Sequence, residues 1–484
     1  MMSNIRRGLL FSVAGKYLMR VLGLISTVLI ARMLSPTEIG TFAIASSLVM
    51  ILTEVKLLGA NAFLIRNQDM TETDIRRAYG MAILMCWGIA ILLIAAAGPL
   101  SLFFKHYQLQ AVFSILALSF LFAPYISIPD AILSRTFRFK EISIIEMSAS
   151  IFQMIVTLTL IYLGYSFYSL AWGQLSGMAW RFALSLYFTR ETKVYFPSFA
   201  NLSEIAKLGL FTSAANIVRR IHYSASDIVI GRMGSPTEVG VFSRGMGFID
   251  FVSQIILDGV GGIAQPYMSD LKRRGEDIVA AYIKATALLL SLVWPILAVA
   301  SVAALPAIRL LFGEQWDLSA PIATVLAFWM IVKVVNFFSP QLLIAVGHER
   351  IMFRRDILCF AVLAVSLVVA YPYGLAVMGM AFLFSSIVEL SITLWLLRRY
   401  LKLSVRNLAK ALQRPMIVTL ACYLLAKVIE LFYPFQSASP LLVLALLALL
   451  VTPTWLLSIK LLKLQIYDEF VRLIQPVFRR LKAQ

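Results

Sequence analysis

Charge is what this chain has least of. Charged residues make up 14% of the 484, against about 25% in a typical soluble domain, too few to solvate a surface of this size. Cysteine is equally sparse: Cys86, Cys359 and Cys422 all fall inside apolar runs, so no disulfide framework is implied. No Gly-rich phosphate loop ends in Lys-Ser or Lys-Thr, which excludes ATP hydrolysis by this chain on its own. Metal-ligand spacing and a nucleophile elbow are missing too. Neither enzymatic activity nor a metal or bound cofactor is therefore expected. No connection is long enough to hold a soluble domain.

What is there instead is apolar sequence, 60% of the residues. Runs of about twenty residues recur along the whole chain, each long enough to cross a hydrocarbon core of roughly 30 Å. About fourteen are read, centred near Leu22, Leu48, Ile89, Leu118, Val156, Leu175, Ser224, Phe251, Leu290, Ala327, Leu363, Leu383, Leu424 and Leu446. The fourth and tenth are the least clean. The net charge of +18 follows the same organisation. Counted by alternate connections, roughly thirty Lys and Arg lie on one side and about five on the other, the positive-inside pattern. That places both termini in the cytoplasm and assigns the basic charge to topology and anionic headgroups, not to nucleic acid. Leu9 to Ala31 is a full-length span without a cleavage site and is expected to act as its own insertion signal.

One phrase occurs twice. Arg32-Met33-Leu34-Ser35-Pro36-Thr37-Glu38-Ile39-Gly40-Thr41-Phe42 returns as Arg232-Met233-Gly234-Ser235-Pro236-Thr237-Glu238-Val239-Gly240-Val241-Phe242, identical at eight of eleven positions. So long a period marks a duplicated bundle, not a solenoid. An even number of spans separates the copies, so the halves share one orientation, a parallel repeat of the kind secondary transporters use. Tyr168-Ser169-Leu170-Ala171 and Tyr373-Gly374-Leu375-Ala376 echo it more faintly. The expected organisation is an all-α polytopic membrane protein with one lobe over 1–200 and a second over 201–400. Residues 401–484 would add two further helices and an amphipathic cytoplasmic tail patterned by Leu462, Ile466, Phe470, Leu473 and Val477. The Ser-Pro-Thr-Glu core of each copy reads as a helix start: Ser N-cap, Pro in the first turn, Glu three residues after the cap. Beside that structural role stands a gating one, with Arg32 and Arg232 facing each other at the extracytoplasmic mouth.

Polar residues within the spans are the candidate site. A charge at bilayer depth costs roughly 2.5–3.5 kcal/mol and should face a cavity or a partner. Lys16, Arg20, Gly23 and Thr27 share one face of the first span; Asn216, Arg220, Tyr223 and Asp227 hold matching positions in the seventh. Arg20 and Arg220 correspond through the repeat, and Arg20 lies roughly 16 Å along its helix, near the midplane. A pair of guanidinium groups there suits a diphosphate. Substrate binding is accordingly assigned to Arg20, Arg220, Lys16, Asn216, Arg219 and Arg244. Coupling or gating is assigned to Asp227, His222, Glu54, Asp250, Arg32 and Arg232. Gln254, Asp258 and Lys333 are further polar groups, and Glu54 matches Gln254. The competing reading is that these charges pair among themselves, for instance Arg220 with Asp227. Arg181 and Glu389 are not repeat-matched and read as local pairs or snorkelling ends. His106 and His348 read as loop residues. Pro124, Pro129, Pro295 and Pro340 are expected to interrupt helices.

These residues carry a resemblance. Ala31 to Gly40, Leu58 to Arg66, Arg135 to Lys140 and Leu163 to Leu170 resemble the polysaccharide transporter, or oligosaccharide flippase, family of the multidrug/oligosaccharidyl-lipid/polysaccharide exporter superfamily. The likeness covers nearly the whole chain and is similar to the colanic acid and succinoglycan exporter branch. Lys56 departs from it, since relatives often carry an acidic or small residue there. The resemblance implies a V-shaped pair of six-helix lobes rocking in alternating access in the bacterial inner membrane. It implies as cargo an undecaprenyl-diphosphate-linked oligosaccharide destined for exopolysaccharide, capsule or O-antigen. A polymerase and a chain-length regulator of the same pathway are its expected partners. Coupling to a proton or sodium gradient is expected from the missing nucleotide site and from Asp227. Three alternatives stand: a multidrug and toxin extrusion antiporter, which would want an acidic cavity; a membrane-embedded polymerase or ligase, which usually carries a large periplasmic loop; and a peptidoglycan-precursor flippase.

Overall fold

The computed structural model of the chain describes residues 2–55, 63–64, 71–189 and 196–467, with only the backbone described over 2–14, at Lys16, over 204–205, 207–215 and 262–263, at Gln265 and at Glu349. Lys56, most of the 58–66 stretch, and Phe470, Leu473 and Val477 of the expected tail lie outside the described residues. Among the described residues all regular structure is helical. The chain forms two compact units, Met1–Gly240 and Val241–Gln484.

In the first unit the helices are α1 (Met2–Met33), α2 (Pro36–Val55), α3 (Glu72–Phe103), α4 (Leu109–Phe122), α5 (Pro124–Arg135), α6 (Phe139–Tyr162), α7 (Tyr168–Phe188) and α8 (Leu202–Met233). Helix α9 (Pro236–Arg273) begins there and continues into the second unit. The second unit adds α10 (Ile278–Val302), α11 (Ala304–Phe312), α12 (Ser319–Val334), α13 (Ser339–Ala345), α14 (Glu349–Ala370), α15 (Leu375–Leu401), α16 (Val405–Phe432) and α17 (Pro440–Leu461).

Among the described residues ten helical stretches are long and apolar enough to cross a membrane, and the bent pair α4–α5, turned by 43°, makes an eleventh. This is a membrane protein. The remaining expected crossings are α1, α7 and α8, of 32, 21 and 32 residues. They are long enough at about 1.5 Å per residue, but α1 and α8 carry polar residues of the candidate site and α7 carries Arg181. The expected count of fourteen would require all three to cross as well.

The two unclean spans are the broken ones. Pro124 opens α5 directly after α4, and Pro340 lies in the first turn of α13 after the turn that ends α12. Pro295, by contrast, sits inside an unbroken α10, as membrane helices tolerate. Local chemistry sets the helix starts outside the spans. Thr71 and Asp74 cap α3 reciprocally, and Asp277 accepts from the amides of Val279 and Ala280 at 2.9 and 3.0 Å.

Within the first unit α6 and α7 pack along a Gly-x-x-x-Gly stripe: a Cβ on Gly173 would stand 1.9 Å from Thr157 Oγ1, and one on Gly177 2.9 Å from Gln153 Cβ. Small residues of this kind let membrane helices approach closely, where dispersion and not the hydrophobic effect drives association. In the second unit α10 is the central helix, packed on α12 and α16. It buries Tyr282 and Trp294, the latter donating Nε1 to the Ile331 carbonyl at 2.8 Å. All three cysteines are buried free thiols.

Candidate functional site

The repeated phrase builds the same object twice. Ser35 N and Oγ donate to Glu38 Oε2 at 2.8 and 2.7 Å, while Glu38 N returns a bond to Ser35 Oγ at 3.3 Å. Ser235 and Glu238 repeat the arrangement at 2.8, 3.2 and 3.3 Å. Each is a reciprocal capping box satisfying helix-start amides. The two boxes meet within the first unit. Thr37 Oγ1 and Thr237 Oγ1 lie 2.8 Å apart. A Cβ on Gly40 would fall 1.7 Å from the Pro236 carbonyl oxygen, and one on Gly240 2.0 Å from that of Pro36. Only glycine permits so close a backbone crossing. Ser166, in the connection between α6 and α7, adds a hydrogen bond to Glu38 Oε1.

From this crossing α2 and α8 run antiparallel against each other. Ile44 fills the space over Gly231, with Cγ1 3.0 Å from a Cβ built there. Further along, Ser224 Oγ donates to the Ser47 carbonyl at 3.3 Å. At the far end Arg220 donates Nε and Nη2 to Glu54 Oε1 at 3.2 and 3.0 Å. The sequence suggested Asp227, on the same helix, as a partner for Arg220; the ion pair lies instead across helices. It is not sealed, because the Arg220 side chain is 40% exposed and that of Glu54 19%. Two turns of α8 gather more polar groups. Arg219 Nη2 donates to Asn216 Oδ1 at 2.5 Å, and the half-buried His222 ring sits 6.4 Å from that of Tyr223. Asp227 is half-buried two turns on from Arg220.

On α1, Arg20 is half-buried and Thr27 exposed, and a Cβ on Gly23 would meet nothing within 4 Å. Lys16 lies on the same face by position, its side chain outside the described atoms. Arg32 and Arg232 are exposed at the ends of α1 and α8, and the Arg232 guanidinium lies 4.9 Å from the Phe103 ring centre.

The second unit treats its assigned residues differently. Arg244 is wedged between aromatic rings, 4.7 Å from the Phe312 centroid and 4.8 Å from that of Trp316, with Nε buried and lacking a hydrogen bond. Asp250 faces the charge of Lys333, whose Nζ lies 4.5 Å over the Trp329 ring. The structure thus gathers Glu54, Asn216, Arg219, Arg220 and His222 on α2 and α8, while Arg244 and Asp250 belong to the interior of the second unit. Arg181 is a local pair, as expected, bonding Asp130 at 2.6 Å and Glu146 at 3.3 Å. Two features carried no assignment from the sequence: the Gly40–Gly240 crossing and the Ser166 bond. For the first, the identity of both glycines in the repeat was the available signal.

The fold is that of the lipid II flippase MurJ in its inward closed conformation (TM-score 0.70, 14% identity, covering 96% of this chain and 100% of that one). It is shared by an inward-facing multidrug resistance MATE family transporter of the MOP superfamily (TM-score 0.64, 13% identity, 79% and 94%). Residues 29–321 match the polysaccharide biosynthesis protein family, and the chain belongs to that family. Among its relatives are the teichuronic acid biosynthesis protein TuaB of Bacillus subtilis, 22% identical over 76% of this chain and 77% of that protein. The succinoglycan biosynthesis transport protein ExoT of Rhizobium meliloti is 24% identical over 67% and 66%.

Proposed function

We propose that the chain is a flippase for a polyprenyl-diphosphate-linked oligosaccharide, carrying repeat units from the cytoplasmic to the outer leaflet of the bacterial inner membrane. Both termini lie in the cytoplasm, and undecaprenyl is the prenyl carrier that the family likeness favours. The observation that carries this reading is the half-exposed Arg220, paired with Glu54 between α8 and α2, with its repeat mate Arg20 half-buried on α1. A lone carboxylate neutralises one arginine; a diphosphate brings more charge and a geometry that matches two guanidinium forks. Cargo therefore competes with Glu54 for Arg220. Such a switch links occupancy to the packing of α2 on α8, and so to the crossing of the two capping boxes at the other end. TuaB and ExoT, named for polysaccharide biosynthesis and transport, support this cargo class. A polymerase and a chain-length regulator are the partners that would receive the unit, and a proton or sodium gradient would drive its turnover.

The MATE-like fold favours a second reading, extrusion of organic cations. The two are separated by transport of cationic dyes in cells expressing the chain, beside polymer export in a strain lacking its own flippase. Restored polymer with no dye efflux is expected; dye efflux without polymer would favour the second reading.

A further inference from the structure

The last helix of the second unit, α17, has no part in the flippase reading. It meets the central helix α10 at two places. At one, Trp455 Nε1 donates to the Ser291 carbonyl at 3.1 Å. That carbonyl is available because Pro295, four residues on, has no N–H to return to it, although α10 runs on unbroken. At the other, Val443 and Leu447 share one core with Val302 and Ala303 at the C-terminal end of α10.

Between these contacts lies a cavity of about 410 Å³, lined by Pro295, Ile296 and Val299 of α10 and by Leu444, Ala448 and Val451 of α17. Ligand sites occupy roughly 300–1,000 Å³. Thr452 and Trp455 alone among the lining residues carry a polar side-chain atom, and the Trp455 N–H is engaged, so water finds too few partners to settle there. Ile296, Ala448 and Thr452 are exposed, which gives the cavity a mouth. Both helices are apolar enough to cross a membrane, and what lies outside such a mouth is hydrocarbon. The lining runs along α10 from Leu292 to Ala303, about 16 Å at 1.5 Å per residue. That is close to half of a hydrocarbon core of roughly 30 Å, the depth of one leaflet. Charges at the Ala303 end are matched. Arg309 pairs with Asp317 at 2.6 Å and bonds the Gln436 carbonyl, with Glu314 nearby. Lys427, beside the same core, pairs with Glu430 at 2.7 Å. The described residues of that end thus carry no surplus of cations.

We propose that the groove between α10 and α17 holds one acyl chain of a resident phosphatidylethanolamine. The chain enters through the mouth and ends against the Trp455 indole, and the zwitterionic head lies at the Ala303 end among the paired charges. A polyprenyl diphosphate suits the groove less on both counts. Its many isoprene units outrun a groove one leaflet deep, and its diphosphate calls for unmatched cations. Filled, the groove gains the dispersion contacts that an empty one forfeits, and α17 stays seated on α10 across Pro295. This site does not rest on the flippase reading, because it is read without cargo.

The test is photolabelling of the full-length protein in phosphatidylethanolamine–phosphatidylglycerol vesicles, using phosphatidylethanolamine with a diazirine in one acyl chain. Label is expected on Val299, Ala448 and Val451 several-fold above that on Leu449 and Leu457, which face outward at 70% and 57% exposure. Ala448→Phe fills the groove and should bring Val299 and Val451 down to the outward level. Thr452→Phe should do the same and serves if the first variant does not fold. Even labelling of lining and outward positions, the mark of bulk lipid only, overturns the proposal. In a second arm a polyprenyl diphosphate is added; an undiminished groove label is expected, and displacement by the carrier would give the groove to the cargo instead. Native mass spectrometry reads the headgroup: one retained phosphatidylethanolamine per chain is expected, lost in Ala448→Phe, whereas phosphatidylglycerol in its place contradicts the assignment. Each of these failures leaves the flippase reading standing.

Discussion

Gly40 and Gly240 show how much one missing carbon decides. Each faces the other copy's backbone, and a methyl group on Gly40 would sit 1.7 Å from a carbonyl oxygen, where no relaxation of a flexible side chain can help. Gly40→Ala is therefore expected to separate the two helix starts. The measurement is disulfide formation in a Thr37→Cys/Thr237→Cys protein, whose hydroxyl positions are 2.8 Å apart in the parent. Rapid oxidation is expected, falling several-fold when Gly40→Ala is added; unchanged oxidation would contradict the crossing. The capping boxes were legible in the sequence because their chemistry is local, a Ser and a Glu three residues apart. The crossing was not, because it depends on which two starts meet. Arg220 with Glu54 failed to show for the same reason: 166 residues separate the partners, and no local pattern encodes such a pair.

At the scale of the element, Glu38 and Glu238 are equivalent in sequence and unequal in structure. Both close a capping box, but Glu38 also receives Ser166 from the α6–α7 connection. Loss of a cap costs about 1 kcal/mol, and the extra hydrogen bond contributes about another. Glu38→Ala is thus expected to lower the thermal midpoint in detergent more than Glu238→Ala, and Ser166→Ala to remove most of that difference. Equal midpoints for the two glutamate variants would argue against the asymmetry. The α6–α7 pair makes a second expectation. Gly173→Ala should destabilise through its clash with Thr157 Oγ1 at 1.9 Å, and Thr157→Ala should recover part of the loss; no recovery would place the strain elsewhere. The helices themselves were plain from apolar run length. The breaks in the fourth and tenth spans were legible as unclean patterns bearing proline. Pro295 misled, since a proline inside a packed membrane helix need not interrupt it.

For the whole molecule, the all-helical membrane fold and the family could be read from composition, the apolar runs and the motifs in the recurring phrase and beside it. The fate of the intramembrane charges could not. The sequence assigns Arg220 and Arg244 alike to substrate binding, yet one ends half exposed beside a carboxylate and the other wedged between aromatic rings. Which outcome holds depends on neighbours from distant helices. Alternating access adds its own expectation. Oxidising the Thr37→Cys/Thr237→Cys protein should stop polymer export and reduction should restore it, because the crossing must open once per cycle; export undiminished by the cross-link would show that this contact does not move.

The decisive measurement is translocation of a fluorescent polyprenyl-diphosphate oligosaccharide in proteoliposomes, comparing wild type with Arg20→Ala/Arg220→Ala at equal reconstitution. Wild-type vesicles should move the lipid across the bilayer, and the double variant should fall to the rate of protein-free vesicles. Translocation by the double variant at the wild-type rate would remove the paired guanidinium groups, and the diphosphate they are held to bind, from the mechanism.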